Sequence, residues 1–270
     1  MNFIIALQAE AKPLIDALKL KKVSGSLPFP TFQNDNHQLV VSGIGKIASA
    51  GATGFSLGKS HAQDHPFPFL NIGIAGHGSL GVGTLFIADR IFSENHSSIY
   101  YPPQLVDSEI IRSPLQTCEL PNRDYQEKKG YDMEAHSFYT TASKCVTREL
   151  VQVIKIVSDN LHQPLDTFNP KVVSKLVETN LPTILGLVRS LEKLANEISP
   201  DRETLAFRRD ALHSQNFTET QTHLLVQLLN HSKSFDIEEA KILQSLKNEN
   251  SAKSALKALA HLIEPYRILS

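Results

Sequence analysis

Acidic side chains and glycine-rich turns recur at four places in the first 160 residues. Glu10 follows an apolar run at 2–7, and Ser42-Gly43-Ile44-Gly45-Lys46 follows another at 38–42. Gly73-Ile74-Ala75-Gly76-His77-Gly78 lies at the end of a run at 69–75, and Ser158-Asp159-Asn160 closes a run at 150–157. Carboxylates in such places can give or take protons. Glycine loops let backbone N–H groups approach a ligand's oxygens. Each cluster also has an architectural use, as a tight strand-to-helix turn, an Asx turn or a charge in a first helical turn. A further cluster, Tyr131-Asp132-Met133-Glu134-Ala135-His136, opens a predicted helix, where Asp132 can simply favour the helix dipole.

The elements that must position these groups read as α/β. The apolar runs at 2–7, 38–42, 69–75, 85–92 and 150–157 are mostly continuous, as in strands covered on both faces. Helical patterns at 10–18, 48–58 and 133–144 lie between them, which predicts a mixed, largely parallel central sheet with helices outside. The polar clusters then share the carboxyl edge of the sheet, where open α/β sheets bind ligands. Asn169 and Pro170 start a long amphipathic helix, with Val172, Val173, Leu176, Val177 and later apolar residues at three- and four-residue steps up to Ile198. Pro182 is expected to kink it and Pro200 to end it.

Glycine marks a boundary. All 13 glycines lie between Gly25 and Gly186, and 12 of them precede Tyr131. The glycine-free tail predicts a helical appendix at 200–270 after a domain at 1–199. Capping boxes are expected at Thr218/Gln221 and Asp236/Glu239. Apolar stripes are supplied by Leu224, Leu225, Leu228 and Leu229, by Ala240, Leu243 and Leu246, and by Leu256, Leu259, Leu262 and Ile263.

Composition narrows the classes. With 41% hydrophobic and 20% charged residues among 270, an ordinary core is available. A net charge of −1, and a tail with nine basic and nine acidic residues, give no pull toward nucleic acid or an anionic membrane. Two cysteines form neither a disulfide framework nor a zinc site, and His213, His223, His231 and His261 lack metal-ligand spacing. No apolar run reaches about 18 residues, and the apolar N-terminus is too short for a signal sequence. A cytoplasmic protein is expected. The P-loop pattern is absent, and Gln8-Ala9-Glu10 stands where a dinucleotide fingerprint would place glycines.

Taken in order, the motifs resemble the nucleoside phosphorylase and nucleosidase superfamily, most closely its methylthioadenosine/S-adenosylhomocysteine nucleosidase branch. They are Glu10, Ser42-Gly43-Ile44-Gly45-Lys46, Asn71-Ile72-Gly73-Ile74-Ala75-Gly76 with Val82-Gly83-Thr84 after it, Asp132-Met133-Glu134-Ala135 and Val157-Ser158-Asp159. The resemblance covers about 1–199. It implies a three-layer phosphorylase/hydrolase-like fold and cleavage of the N-glycosidic bond of a purine (adenosine-type) nucleoside. It also implies a homo-oligomer, commonly a dimer or hexamer, and neither a metal nor an organic cofactor.

In such a site the departing base gains electron density while ribose becomes oxocarbenium-like. Asp159 matches the general acid, acting at purine N7, and Glu10 the carboxylate that deprotonates the attacking water. Glu134 matches the acceptor of the ribose 2′- and 3′-hydroxyls, and Met133 an apolar contact with the sugar. Gly73, Ile74, Ala75, Gly76, Ser158 and Lys155 complete the substrate-binding set by the same resemblance.

The chain departs from the family at several points. Ile74 stands where a small hydroxyl residue is usual. Lys155 stands where the nucleosidase branch has arginine, and a lysine lacks the bidentate fork. Gln8-Ala9 replaces further acids, and 113–130 is short for a base-binding segment, with Leu115, Thr117 and Tyr125 as candidates for lining the base pocket. Phosphorylases of the superfamily clamp phosphate with arginine at the place of Asn71. Arg90, Arg112, Arg123 and Arg148 match no phosphate position, which favours hydrolysis. A phosphate-dependent phosphorylase, kept open by Lys46, and a non-catalytic nucleoside-binding module with a partner-binding tail are the alternatives.

Overall fold

The computed structural model describes residues 1–60, 67–105, 109–122, 124–125, 127–164, 169–198 and 202–267. Met1–Ser199 and Pro200–Ser270 form two compact units.

The first unit is built on a mixed sheet. Strands β1 (Asn2–Ile5), β4 (Gln38–Val41), β5 (Phe69–His77) and β10 (Val151–Asp159) run parallel in the order β4-β1-β5-β10. Strands β2 (Lys21–Lys22) and β3 (Thr31–Gln33) extend the β4 edge antiparallel. On the other side, β6 (Leu85–Ser93), β8 (Ile111–Thr117) and β9 (Gly130–Asp132) link β10 back to β5, so these five strands close into a ring. Strand β7 (His96–Tyr100) hangs on β6.

Strand alternation divides the core between two helical layers. Phe3 and Ile5 of β1, Leu70 and Ile72 of β5, and Ile154 and Ile156 of β10 face one side. They pack with α1 (Gln8–Ala17) and with Val177, Ile184 and Leu191 of α4 (Pro170–Ile198). Ile4, Phe69, Val153 and Val157 face the other side, against α2 (Lys46–Ser60) and Phe138 and Tyr139 of α3 (Ala135–Ala142). This is the three-layer arrangement expected from the motifs.

Several details differ from the sequence reading. Strand β8 carries Pro114, which argues against an interior strand because proline has no N–H to give the ladder. The proline is tolerated because the β6–β8 register slips between Ala88 and Arg90, where Pro114 pairs. Helix α2 begins at Lys46 rather than 48, and α3 begins at Ala135 with Glu134 as its N-cap rather than at 133. Val172 and Ile198 of α4 are exposed, outside its apolar face. The expected helix end at Pro200 lies outside the described residues.

The second unit contains α5 (Arg202–Leu212), α6 (Glu219–Ser234), α7 (Glu239–Lys247) and α8 (Ala252–Arg267) around a core of its own. Thr218 and Gln221 form the capping box of α6. The box expected at Asp236/Glu239 does not form. Glu238 is the N-cap of α7, and Asp236 sits in the left-handed region at φ +52°. Ile242 and Leu246 bury the inner face of α7, while Ala240 and Leu224 are exposed.

Candidate active site

The carboxyl ends of β1, β5 and β10 and the start of α3 surround a cavity of about 350 Å³. Glu10, Asp132, Glu134 and Asp159 all reach its wall, with Met133, Ile74, Ala75, Gly76 and Ser158 beside them. No lysine or arginine among the described residues lines it.

Glu10 is buried in the first turn of α1. Its Oε2 accepts the N–H of Leu7, an otherwise orphaned donor of the helix start, at 2.8 Å. Its Oε1 accepts the N–H of Ile74, at 2.9 Å. Burial pushes its carboxyl up, and Lys155 and the two backbone donors pull it back, leaving it above the usual carboxylate range.

Two glycines make room for the two outer carboxylates. A Cβ at Gly73 would lie 3.0 Å from Glu10 Oε1 and 3.3 Å from Lys155 Nζ, and one at Gly76 would lie 2.9 Å from both Asp159 Oδ2 and the Tyr125 ring. These two positions lie inside β5, not in a loop, and side chains that cross the strand require glycine there. A β-bulge sets Asp159: Val157 pairs with Ala75 and Asp159 with Gly76, so Ser158 is the extra residue. The bulge puts the Asp159 carboxylate over Gly76. There Oδ2 accepts the Tyr125 hydroxyl and Oδ1 the Ser158 hydroxyl.

Asp132 and Lys155 form a buried pair at 2.9 Å. Asp132 also accepts Thr117 Oγ1 at 2.7 Å and the N–H of Ala135 at 2.8 Å, so it starts α3 as well as holding the lysine. Burial alone would lower the Lys155 ammonium, but Asp132, Glu134 and Glu10 around it hold it above its ordinary value. Glu134 Oε1 accepts the N–H of Gly45 at 2.7 Å. Burial, opposed by Lys155 and assisted by Asp132 and Glu10, pushes Glu134 up to about 7.

Most of the residues singled out in the sequence thus meet at one cavity, while Lys155 and Gly73 lie behind its wall rather than on it. Lys155 pairs with Asp132. Lys46 is also engaged elsewhere, 2.7 Å from Glu119. His77 is a packing residue: its Nδ1 accepts the N–H groups of Ser79 and Leu80, and its Nε2 meets Ser113 Oγ at 2.9 Å. Of the three base-pocket candidates, Tyr125 lines the cavity, Leu115 belongs to the core and Thr117 serves Asp132. Asn122 on the cavity wall went unread, because an Asn in a short irregular segment carries no motif. Arg123 lies outside the described residues.

No protein-family model and no curated protein matches the sequence. Solved structures do match the fold. The 5′-methylthioadenosine/S-adenosyl homocysteine nucleosidase of Campylobacter jejuni aligns with a TM-score of 0.56 at 14% identity, over 71% of this chain and 98% of its own. The corresponding enzyme of S. pneumoniae, with the transition-state inhibitor MT-ImmA, gives 0.56 at 19%, over 70% and 98%. Futalosine hydrolase of Helicobacter pylori gives 0.55 at 14%, over 70% and 96%. At these identities the shared property is the fold. Among the described residues, no helix is long and apolar enough to cross a membrane, and no group of three or more His, Cys, Asp or Glu could hold a metal ion.

Proposed function

We propose that the unit at 1–199 hydrolyses the N-glycosidic bond of a purine ribonucleoside, with 200–270 as a helical extension. The observation that carries this reading is the convergence of Glu10, Glu134 and Asp159 on one cavity. In the proposed step, protonated Asp159 gives its proton to purine N7. The C1′–N9 bond breaks with its electron pair on the base. Water attacks C1′ and passes a proton to Glu10, leaving free base and ribose. Glu134 accepts the ribose 2′- and 3′-hydroxyls, and Met133 packs on the sugar. The backbone at Ile74, Ala75 and Gly76 walls the site and fixes Glu10, while Ser158 holds Asp159. Lys155 works from below by neutralising Asp132.

The choice of water over phosphate rests on charge. The carboxylates of Glu10, Glu134 and Asp159 face the cavity and no described cation does, so a phosphate anion would meet repulsion where a water meets a base. Lys46, the cation that kept phosphorolysis open, is committed to Glu119. The test is base release from a panel of purine ribonucleosides in phosphate-free buffer. Turnover yielding free ribose is expected. Turnover only on adding phosphate would replace hydrolysis by phosphorolysis, and tight nucleoside binding with no release would leave a non-catalytic binding module.

A further inference from the structure

Gly78 is not on the cavity wall, yet its place tolerates nothing larger. It follows the last residue of β5, and its N–H donates to the Lys129 carbonyl at 3.1 Å. Its φ is not in the left-handed region, so the backbone alone does not demand glycine. Space does. A Cβ at Gly78 would strike the Glu127 carbonyl oxygen, and would lie 2.7 Å from the Glu127 carbonyl carbon and 2.8 Å from the Tyr125 carbonyl oxygen. At Gly73 and Gly76 the nearest atoms belong to side chains, which can turn aside; at Gly78 they are all backbone.

The backbone pressed onto Gly78 is the one that carries Tyr125. That residue is buried, and its φ of +47° is uncommon for a bulky side chain. Its N–H donates to Asn122 Oδ1 at 3.4 Å, and its hydroxyl donates to Asp159 Oδ2. If a methyl group stood at 78, something would have to move. β5 is paired on both sides, to β1 and to β10. Tyr125 and Glu127 belong to no strand or helix. Their backbone is therefore what gives way, and the Tyr125 hydroxyl leaves Asp159 with it.

We propose that Gly78 is a positioning residue for the proton donor. By letting the backbone of Tyr125 and Glu127 close onto the end of β5, it seats the Tyr125 hydroxyl on Asp159. The proposal rests on the reading of Asp159 as the general acid. It gives a residue that touches no ligand a defined effect on the chemical step.

The test is a double-mutant cycle on the full chain, with kcat for base release referred to the folded enzyme. Gly78→Ala is expected to lower kcat about tenfold, the same loss as removing the hydroxyl. In a Tyr125→Phe background it should cost less than about twofold, because the contact it disturbs is already gone. A merely structural defect would cost the same in both backgrounds. That result, or wild-type kcat for Gly78→Ala, overturns the proposal. If Gly78→Ala fails to fold by circular dichroism, Lys129→Met takes its place. Lys129 Nζ pairs with Glu127 Oε1 at 2.8 Å, so its loss loosens the same backbone without touching β5. A loss of kcat coupled in the same way to Tyr125→Phe is expected, and its absence overturns the proposal. A crystal structure of the folded variant separates this proposal from the reading beneath it. Tyr125 displaced from Asp159, with no ribonucleoside cleaved by wild type, keeps the seat and removes the nucleosidase reading. Tyr125 still on Asp159 overturns the seat whatever the turnover.

Discussion

The two sides of the cavity are held by different means. On the side proposed to hold the sugar, Glu10 and Glu134 are pinned by backbone N–H groups of Leu7, Ile74 and Gly45, and Lys155 lies among three carboxylates. Every holder there belongs to a strand, a helix start or the turn beside it. On the side proposed to hold the base, Asp159 is held by two hydroxyls, one of them from Tyr125, and Asn122 is held by the N–H groups of the segment that follows it. The sugar side is thus an electrostatic unit in which each charge conditions the others. The base side is a hydrogen-bond unit whose members can be exchanged one at a time. Ribose is common to all ribonucleosides and bases differ, so a rigid half and an exchangeable half suit a scaffold that keeps one bond chemistry and varies its leaving group.

Two substitutions test that contrast hardest. Asp159→Asn keeps shape and loses the proton, so base release should fall by roughly 10²–10⁴-fold with the melting temperature near wild type. Near-normal turnover would remove Asp159 from the acid role. Lys155→Met should act on folding instead. It strands Asp132 in the interior, which typically costs about 3–5 kcal/mol, read as a drop in urea-unfolding free energy. Lys155→Arg, which keeps the charge, should recover much of that loss. Equal stability of the methionine variant and wild type would mean that the sugar side is not the coupled unit described here.

The same contrast explains what the sequence revealed. Glu10, Glu134 and Asp159 were legible because each follows a strong strand or opens a helix, and the strands bring their carboxyl ends together. The glycines at 73 and 76 read as a loop but lie inside β5, and their reason is tertiary: the crossing carboxylates come from α1 and β10, far away in the chain. Lys155 read as a ligand contact because its place in β10 was known and its partner was not; a strand pattern gives the face of a side chain, not the Asp132 waiting there. Tyr125 and Asn122 sit between β8 and β9, where Pro114 hides one strand and the other has three residues. Local pattern has little to say about such a segment, and the register slip that admits Pro114 is a tertiary fact.

Glu134 gives a pH test of the sugar side. Its carboxyl rises from 4.5 to about 7 on folding, so the folded state holds the proton more tightly. Its contribution to stability is complete below about pH 4.5 and is lost as pH rises through about 7. The stability of wild type minus that of Glu134→Gln should therefore decline between those values, on the order of 3 kcal/mol, and level off above. A flat difference would show that Lys155 already compensates Glu134 in full.

The smallest effect should come from the base side. Tyr125→Phe removes the hydroxyl on Asp159 Oδ2 and leaves the ring against Gly76. One donor of the pair holding the acid is lost while Ser158 remains, so kcat should fall about tenfold with KM for the nucleoside little changed. Tyr125→Ala also takes away part of the cavity wall and should raise KM as well. That split separates positioning from packing: if phenylalanine and tyrosine turn over alike while alanine loses affinity, the ring matters and the hydroxyl does not, and Ser158 alone orients the acid.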